Sequence, residues 1–506
     1  MKKLLNFLTS RMCIVTLLIL AQLGFIIWLV LRLTLGSWFV SLMLQFFSVV
    51  TVVWLVSKNE NPSYKLAWVI AILSFPILGI VFYFMFGNKK MPEKHSRPIL
   101  EYYERIAPHL APEQGVGEAL RLRDPMLGRQ SDYIVRTAFS APYQNTACAY
   151  CPLGEDFFRL LLEELEQAKA YIFLEYFILE PGKMWDTVFE LLQRKAREGV
   201  EVRVMYDDLG SIQTLPPGYE RTIAAAGIRV AVFNPFRPHV NGMLNYRDHR
   251  KICVIDGNVG FTGGINLADE YINVYPKHGH WKDTAVMLKG EAVWGLTLMF
   301  LQLWGFTAGE MPEFDRYRPT ERYPGDGFVQ PFGDSPLDDQ NVAEDAYMQI
   351  INGATDYVYI TTPYLILDNE MVNALSMAAR SGVDVRIMTP HVPDKWFVHP
   401  VTRSFYLPLI RAGVKIYEYT PGFVHAKMFV ADDKVAIVGT TNMDYRSFYL
   451  HFECGVAFYF SSVVGEVKED ILSTLKRCQL VSEKEAYSSF PVRMGRALLR
   501  VFAPLM

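Results

Sequence analysis

Apolar positions are spread unevenly along this chain of 506 residues. Three uncharged, almost wholly apolar runs fill its beginning: Met12 to Leu31, Leu33 to Ser57 and Leu66 to Phe86. Each has about the 20 residues a helix needs to cross a ~30 Å hydrocarbon core, which predicts transmembrane helices at about 12–31, 35–57 and 66–86 within a membrane region 1–90. Trp28, Trp38, Trp54, Trp68 and Tyr83 lie near the ends of these runs, where aromatic belts sit. The first run exceeds the ~7–15 residues of a signal-peptide core, and no Ala-x-Ala site follows it. Pro76 is expected to kink the third.

Beyond a linker at 91–130 the pattern changes to short β-branched strands alternating with amphipathic helices, and it occurs twice. Ala170-Tyr-Ile-Phe-Leu-Glu-Tyr-Phe177 is answered by Asp356-Tyr-Val-Tyr-Ile-Thr-Thr362, and Glu198-Gly-Val-Glu-Val-Arg-Val-Met205 by Ser381-Gly-Val-Asp-Val-Arg-Ile-Met388. Ala226-Gly-Ile-Arg-Val-Ala-Val232 is answered by Ala412-Gly-Val-Lys-Ile-Tyr417. Such alternation implies βαβ units and a sheet covered by helices. The reading is a duplicated α/β fold, with domains at 131–320 and 321–485 jointed at the Pro/Gly/acid-rich stretch Met311 to Asp339, and a tail at 486–506.

Charge narrows the partners. The first ninety residues hold eight Lys/Arg and one acid; the rest hold 42 of the 50 basic and 52 of the 53 acidic residues, a net of −10. An acidic body is a poor match for a polyanion, so no nucleic-acid partner is expected. Six cysteines exclude a disulfide scaffold, and Cys148-Ala-Tyr-Cys151, without a second pair or a His partner, reads as coincidence rather than a metal or redox site.

The chemistry sits in a motif that is itself duplicated. His249-Arg-Lys251-Ile-Cys-Val-Ile-Asp256 precedes Gly263-Gly-Ile-Asn266; His425-Ala-Lys427-Met-Phe-Val-Ala-Asp432 precedes Gly439-Thr-Thr-Asn442. From each His, Lys stands at +2, Asp at +7, Gly at +14 and Asn at +17. One match to the first three positions arises by chance in roughly one chain in thirty of this size; two with the same further offsets do not. His and Lys two apart on a strand project to one face. A pseudo-twofold pairing of the halves would gather two His, two Lys and two Asn around one phosphate. One imidazole could then attack phosphorus while the other protonates the leaving oxygen, with Lys and Asn steadying the charge on the remaining oxygens. This chemistry needs no metal or other cofactor, and no ligand cluster for one is evident in the sequence.

Asp256 and Asp432 belong to the same signature. Seven residues of straight strand would nevertheless carry each about 23 Å from its His, at ~3.3 Å per residue. That favours a structural role, or one reached only after the chain turns. A downstream acid could orient each imidazole and fix its tautomer, with Asp283 and Glu453 as the candidates.

The repeated motif resembles the signature of the phospholipase D superfamily. Asn61-Pro-Ser-Tyr-Lys-Leu-Ala-Trp68, Pro76-Ile-Leu-Gly79 and Phe86-Gly87 are similar to the amino-terminal region of bacterial cardiolipin synthases. So are Glu175-Tyr-Phe177, Tyr206-Asp-Asp-Leu-Gly-Ser211, Asn245-Tyr-Arg-Asp-His249 and Asn442-Met-Asp-Tyr-Arg-Ser447. The likeness runs from about residue 58 to near the end, and the first apolar run is an addition to the two-span form it implies.

The resemblance implies duplicated phospholipase D-like domains and a multi-pass protein of the cell membrane. It implies phosphatidylglycerol as substrate, glycerol as leaving group, a phosphatidyl-histidine intermediate and cardiolipin as product. By the same analogy His249 is the nucleophile, His425 the general acid and then base, and His249, Lys251, Asp256, His425, Lys427 and Asp432 form the catalytic set. Asn266 and Asn442 would bind phosphate. A membrane-bound phosphodiesterase in which water replaces the second lipid is the competing reading, and a non-catalytic scaffold is disfavoured by two intact motifs.

Three features stay open. Arg250 and Arg446 adjoin the motifs, where a phosphate role and a scaffold ion pair are about equally expected. His278-Gly-His280 could border the pocket. In the tail, Arg493, Arg496 and Arg500 fall on one helical face with no acid after Glu485, which reads as a basic interfacial helix against anionic lipid or as an ordinary terminal helix.

Overall fold

The structure is a computed structural model. It describes residues 38–87, 91, 93–110, 115–236, 245–337 and 340–501, with seven isolated residues between 17 and 28. The span expected at 12–31 therefore lies mostly outside the described residues.

Helix α1 (Trp38–Ser57) is uncharged throughout and leaves Phe39, Leu42, Phe46, Phe47, Val50 and Val53 exposed. The run expected to cross a membrane at 66–86 is instead two short helices, α2 (Pro62–Ser74) and α3 (Pro76–Phe86). Pro76 has no N–H to continue the ladder, and Phe75 leaves the helical region at φ −136°, ψ 78°. The chain then doubles back so tightly that a Cβ on Gly79 would stand 2.5 Å from the Ala71 oxygen. At 1.5 Å per residue the pieces are about 20 and 16 Å long, short of ~30 Å. Among the described residues no helix is long and apolar enough to cross a membrane. Leu55, Tyr64, Trp68, Ile72 and Tyr83 make a small core between α1, α2 and α3.

The segment read as a linker is also built. Helices over Val116–Arg123 and Pro125–Ala138 send Leu120, Leu127 and Ile134 into the apolar core of the second half. Their amphipathic spacing gives them a face to bury, which a linker lacks.

The first half contains β1 (Thr146–Cys151), helix α4 (Gly154–Glu166), β2 (Tyr171–Tyr176), helix α5 (Lys183–Arg197), β3 (Glu201–Asp207), β4 (Arg229–Phe233), β5 (Arg247–Asp248), β6 (Ile252–Ile255), β7 (Val259–Gly263), β8 (His280–Lys282) and β9 (Ala285–Gly290). Helix α6 (Val293–Ala308) follows, uncharged and buried through residue 305. The second half contains β10 (Phe328–Asp334), helix α7 (Val342–Gly353), β11 (Tyr357–Thr361), helix α8 (Asn369–Arg380), β12 (Asp384–Pro390), β13 (Lys415–Tyr419), β14 (Gly422–Val424), β15 (Met428–Ala431), β16 (Val435–Gly439), helix α9 (Tyr445–Tyr449), β17 (His451–Tyr459) and β18 (Cys478–Leu480), ending in helix α10 (Phe490–Val501). β10 thus lies inside the stretch read as the joint.

One sheet runs β1-β9-β7-β6-β2-β3-β4 and the other β10-β17-β16-β15-β11-β12-β13-β18. Matched by position, the first seven strands of each follow the same order, with β2-β3-β4 and β11-β12-β13 parallel and the other pairs antiparallel. The inner faces share one core, in which Phe173, Val254 and Leu288 meet Val430, Val438 and Val456 around Phe300 and Trp304 of α6. α4 and α5 cover the outer face of one sheet, and α7 and α8 that of the other. The result is a helix–sheet–sheet–helix stack, α/β and duplicated as read from the sequence.

At the seam the halves exchange short strands. β5 pairs with the start of β17, Arg247 opposite His451 and Asp248 opposite Phe452. β14 pairs with β8, Gly422 opposite His280 and Val424 opposite Lys282. Each motif histidine directly follows one of these exchanged strands.

Candidate active site

The exchange decides where each imidazole points. His249 N–H donates to the Phe452 carbonyl at 2.9 Å, and His425 N–H to the Lys282 carbonyl at 2.7 Å. The next residue on each partner strand is an acid. His249 Nδ1 stands 3.0 Å from both Glu453 oxygens, and His425 Nδ1 stands 2.6 Å from Asp283 Oδ2. So each histidine takes its carboxylate from the opposite half. With Nδ1 held, Nε2 is the nitrogen left for a substrate. Glu453 also accepts from the Thr440 hydroxyl, and Asp283 from the Thr284 N–H at 2.8 Å.

Both lysines close on their own histidines. Lys251 Nζ donates to the His249 carbonyl at 2.6 Å; Lys427 Nζ lies 2.8 Å from His425 Nδ1 and bonds the His425 carbonyl. All four side chains are buried. Burial, then the two lysines and His425, hold His249 well below the usual imidazole range. Burial and Lys427 bring His425 down to about 4. Burial lowers Lys251 to about 8 and Lys427 to about 7. Burial pushes Asp283 upward, but His425 and Lys427 outweigh it and hold the carboxyl below its ordinary value. The pocket is thus desolvated, with two lysines and two carboxylates around two neutral imidazoles, and both lysines bear on each imidazole. Phe177 walls His249 at 5.1 Å between ring centroids; Trp281 and Tyr271 wall His425 at 5.5 and 5.6 Å.

The signature aspartates stand elsewhere. Asp256 and Asp432 sit past the far ends of β6 and β15 in left-handed turns, at φ 51° and 53°. Asp256 accepts from the N–H groups of Lys169, Ala170 and Tyr171 at 2.7–2.8 Å. Asp432 accepts from those of Thr355, Asp356 and Tyr357 at 2.7–3.0 Å. They tie the starts of β2 and β11, which fits the structural role that the sequence reading offered as the alternative to direct catalysis. Asn266 is buried with both amide ends engaged: Oδ1 accepts from Ile178 N–H at 3.0 Å, and Nδ2 donates to the Tyr271 hydroxyl at 2.6 Å. That places it first as a brace for the wall of the pocket. Asn442 is buried with Oδ1 unpartnered.

Arg250 is a scaffold residue, buried between Glu175 at 2.7 Å and Asp248 at 3.2 Å. Arg446 has no such pair among the described residues. His278 lies one ring further out, 6.2 Å from Trp281. Cys148 and Cys151 are unbridged on β1. Two features escaped the sequence reading. One is the crossed assignment of the two acids. The other is His451, whose ring lies 5.6 Å from that of His249 with neither nitrogen hydrogen-bonded. The repeated placement of an acid two residues beyond an aromatic ring, His451-Phe-Glu453 and Trp281-Lys-Asp283, was the available signal. His249, His451 and Glu453 offer donor atoms within 4.8 Å of one another, the one trio among the described residues that could hold a metal ion. The fit is poor, because His249 already bonds Glu453 and both lysines bear on the same imidazole.

Two like half-domains meeting at paired His and Lys side chains define an enzyme of the phospholipase D type. A family described as "Cardiolipin synthase, PLD-like domain" matches residues 161–286 and 347–475, and "Phospholipase_D-nuclease N-terminal" matches 46–88. A Geobacillus kaustophilus cardiolipin synthase is 35% identical over 89% of this chain and 90% of its own. A Bacillus cereus cardiolipin synthase 2 is 36% identical over 83% and 82%. An uncharacterized Streptococcus mutans protein is 42% identical over 90% of this chain and 99% of its own. Among solved structures, a phosphatidylserine synthase of Haemophilus influenzae shares the fold at TM-score 0.56 and 12% identity, over 74% of this chain and 98% of its own. The chain belongs to the cardiolipin synthase family, phosphatidyltransferases of the phospholipase D type.

Proposed function

We propose that the protein joins two phosphatidylglycerol molecules into cardiolipin and glycerol. The observation that carries this is the pair of crossed His–carboxylate contacts beside two buried lysines, which suits a single phosphodiester flanked by two imidazoles.

Neutral His249 attacks phosphorus through Nε2, and the bond from phosphorus to the glycerol oxygen breaks. The leaving oxygen takes its proton from His425, and the imidazolium formed on His249 faces Glu453. The terminal hydroxyl of the second lipid then gives its proton to His425 and attacks phosphorus, and the P–N bond breaks. Lys251 and Lys427 carry the charge on the non-bridging oxygens. Substrate charge raises the proton affinity of the lysines and of one imidazole. His425 suits the proton-carrying role because its contact with Asp283 is the shorter of the two and favours the protonated form.

The region ahead of the body is read as the membrane anchor: α1 with its exposed apolar surface, supported by the α2–α3 hairpin. In the tail helix α10 Arg493 and Arg500 are exposed and Arg496 is half-buried. Arg500 lies 4.1 Å over the Phe405 ring and Arg496 turns to Ser488, while Phe490, Met494 and Leu498 point outward. The helix thus offers a lipid surface both arginines and apolar side chains.

Purified protein on phosphatidylglycerol vesicles should release glycerol and form cardiolipin without added nucleotide or metal. His249→Ala and His425→Ala should each lower product at least a thousandfold. Phosphatidic acid as sole product would favour the phosphodiesterase reading instead.

A further inference from the structure

Transfer between two phosphatidylglycerols brings two phosphodiesters, each with one negative charge, to one pocket. The histidines and lysines account for the donor's phosphate. The acceptor's own phosphate lies one glycerol away from the attacking hydroxyl. It needs a separate counter-charge, because a partly desolvated anion without one is strongly disfavoured.

The pseudo-twofold relation shows where the flanks differ. Four residues past the motif asparagine, the first half has Glu270 and the second has Arg446. Glu270 is buried and engaged, accepting from Lys277 Nζ and the Tyr275 hydroxyl, both at 2.9 Å. The cation on that flank, Lys277, is committed to Glu270.

Arg446, on α9, is half-buried; among the described residues its guanidinium makes no ion pair within 4 Å and no hydrogen bond. The groups bearing on it are Asp444, which favours its charge, and Arg247, which opposes it and pairs with Asp207 at 3.5 Å. It acts on His451, whose ring is 5.6 Å from the ring of His249. Lys395, exposed beyond the end of β12 with Nζ 5.1 Å from the Tyr364 ring, makes no ion pair among the described residues and acts on both His249 and Asp444. Two cations without an ion pair among the described residues thus bear on Asp444 and on the His249–His451 side of the pocket, Arg446 at a position where the other half carries an acid.

We propose that Arg446, assisted by Lys395, is an acceptor-phosphate subsite: it binds the phosphodiester of the lipid that receives the phosphatidyl group and so aims that lipid's terminal hydroxyl at phosphorus. A planar guanidinium suits this task, offering two parallel donors to two phosphate oxygens. The assignment rests on the two-lipid reading above.

The test compares two outputs of the full-length protein in phosphatidylglycerol vesicles containing radiolabelled glycerol. One is cardiolipin; the other is label exchanged into phosphatidylglycerol, which shares the donor step but uses an acceptor without a phosphate. Arg446→Ala should lower the ratio of cardiolipin to exchange at least tenfold, Lys395→Ala about threefold, and Arg446→Lys less than Arg446→Ala. If Arg446→Ala fails to fold, Arg446→Lys and Arg446→Gln with unchanged melting temperature give the same comparison. An unchanged ratio, or equal loss of both outputs, overturns the subsite. Wild-type protein yielding only phosphatidic acid would instead overturn the transfer reading, and the subsite with it.

Discussion

Glu453 and Asp283 work on histidines that belong to the other half, and each contact sets which ring nitrogen faces substrate. Removing the charge while keeping the shape tests this. Glu453→Gln and Asp283→Asn should each lower turnover about a hundredfold to a thousandfold with little change in melting temperature, because an amide permits the wrong tautomer. A loss below tenfold would remove the orienting role.

The lysines make a second prediction at this scale. Lys427, lowered to about 7, and Lys251, lowered to about 8, are charged below those values and lose their protons as pH rises through them. If charged lysine binds the phosphate, kcat/KM should begin to fall as pH rises above about 7 and fall more steeply above about 8, as kcat/KM reports the free enzyme. A profile flat to pH 10 would contradict it. The residues of the pocket were legible because identity and spacing alone carried them. Their orienting acids were legible as Asp283 and Glu453, but which acid meets which histidine was not: β5, β8 and β14 are two or three residues long, too short for any periodicity to announce which strand each would join.

At the scale of elements, the +7 aspartates are strand anchors. Asp256 collects three backbone N–H groups at the start of β2, and Asp432 three at the start of β11. Asp256→Ala should cost about 2–4 kcal/mol of stability in denaturant unfolding, with the folded fraction retaining most of its turnover. Turnover lost in fully folded protein would return Asp256 to the chemistry.

Strand alternation and β-branched runs made the two sheets readable, down to three matched strand pairs. The run at 66–86 misled because hydropathy counts apolar residues without asking whether the backbone can continue. Pro76 and the close approach at Gly79 turn one apparent span into a hairpin. The helices at 116–138 were hidden because their core is completed only by the second half, about 200 residues away in sequence.

At the scale of the molecule, duplication is what makes the chemistry possible. Neither half has both a histidine and the carboxylate that orients it, so the site exists only where the sheets meet across α6. Fold class was legible from the repeat. The crossed seam was not, since it depends on contacts between chain segments 142 to 204 residues apart.

The central claim is a division of labour between two imidazoles on one phosphorus. A phosphatidyl ester of p-nitrophenol, whose leaving group needs no acid, isolates it. His425→Ala should release about one equivalent of nitrophenol in a burst and carry a phosphatidyl adduct on the peptide containing His249, detected by mass spectrometry. His249→Ala should show neither. An adduct on His425, or an equal burst from both variants, would contradict the account.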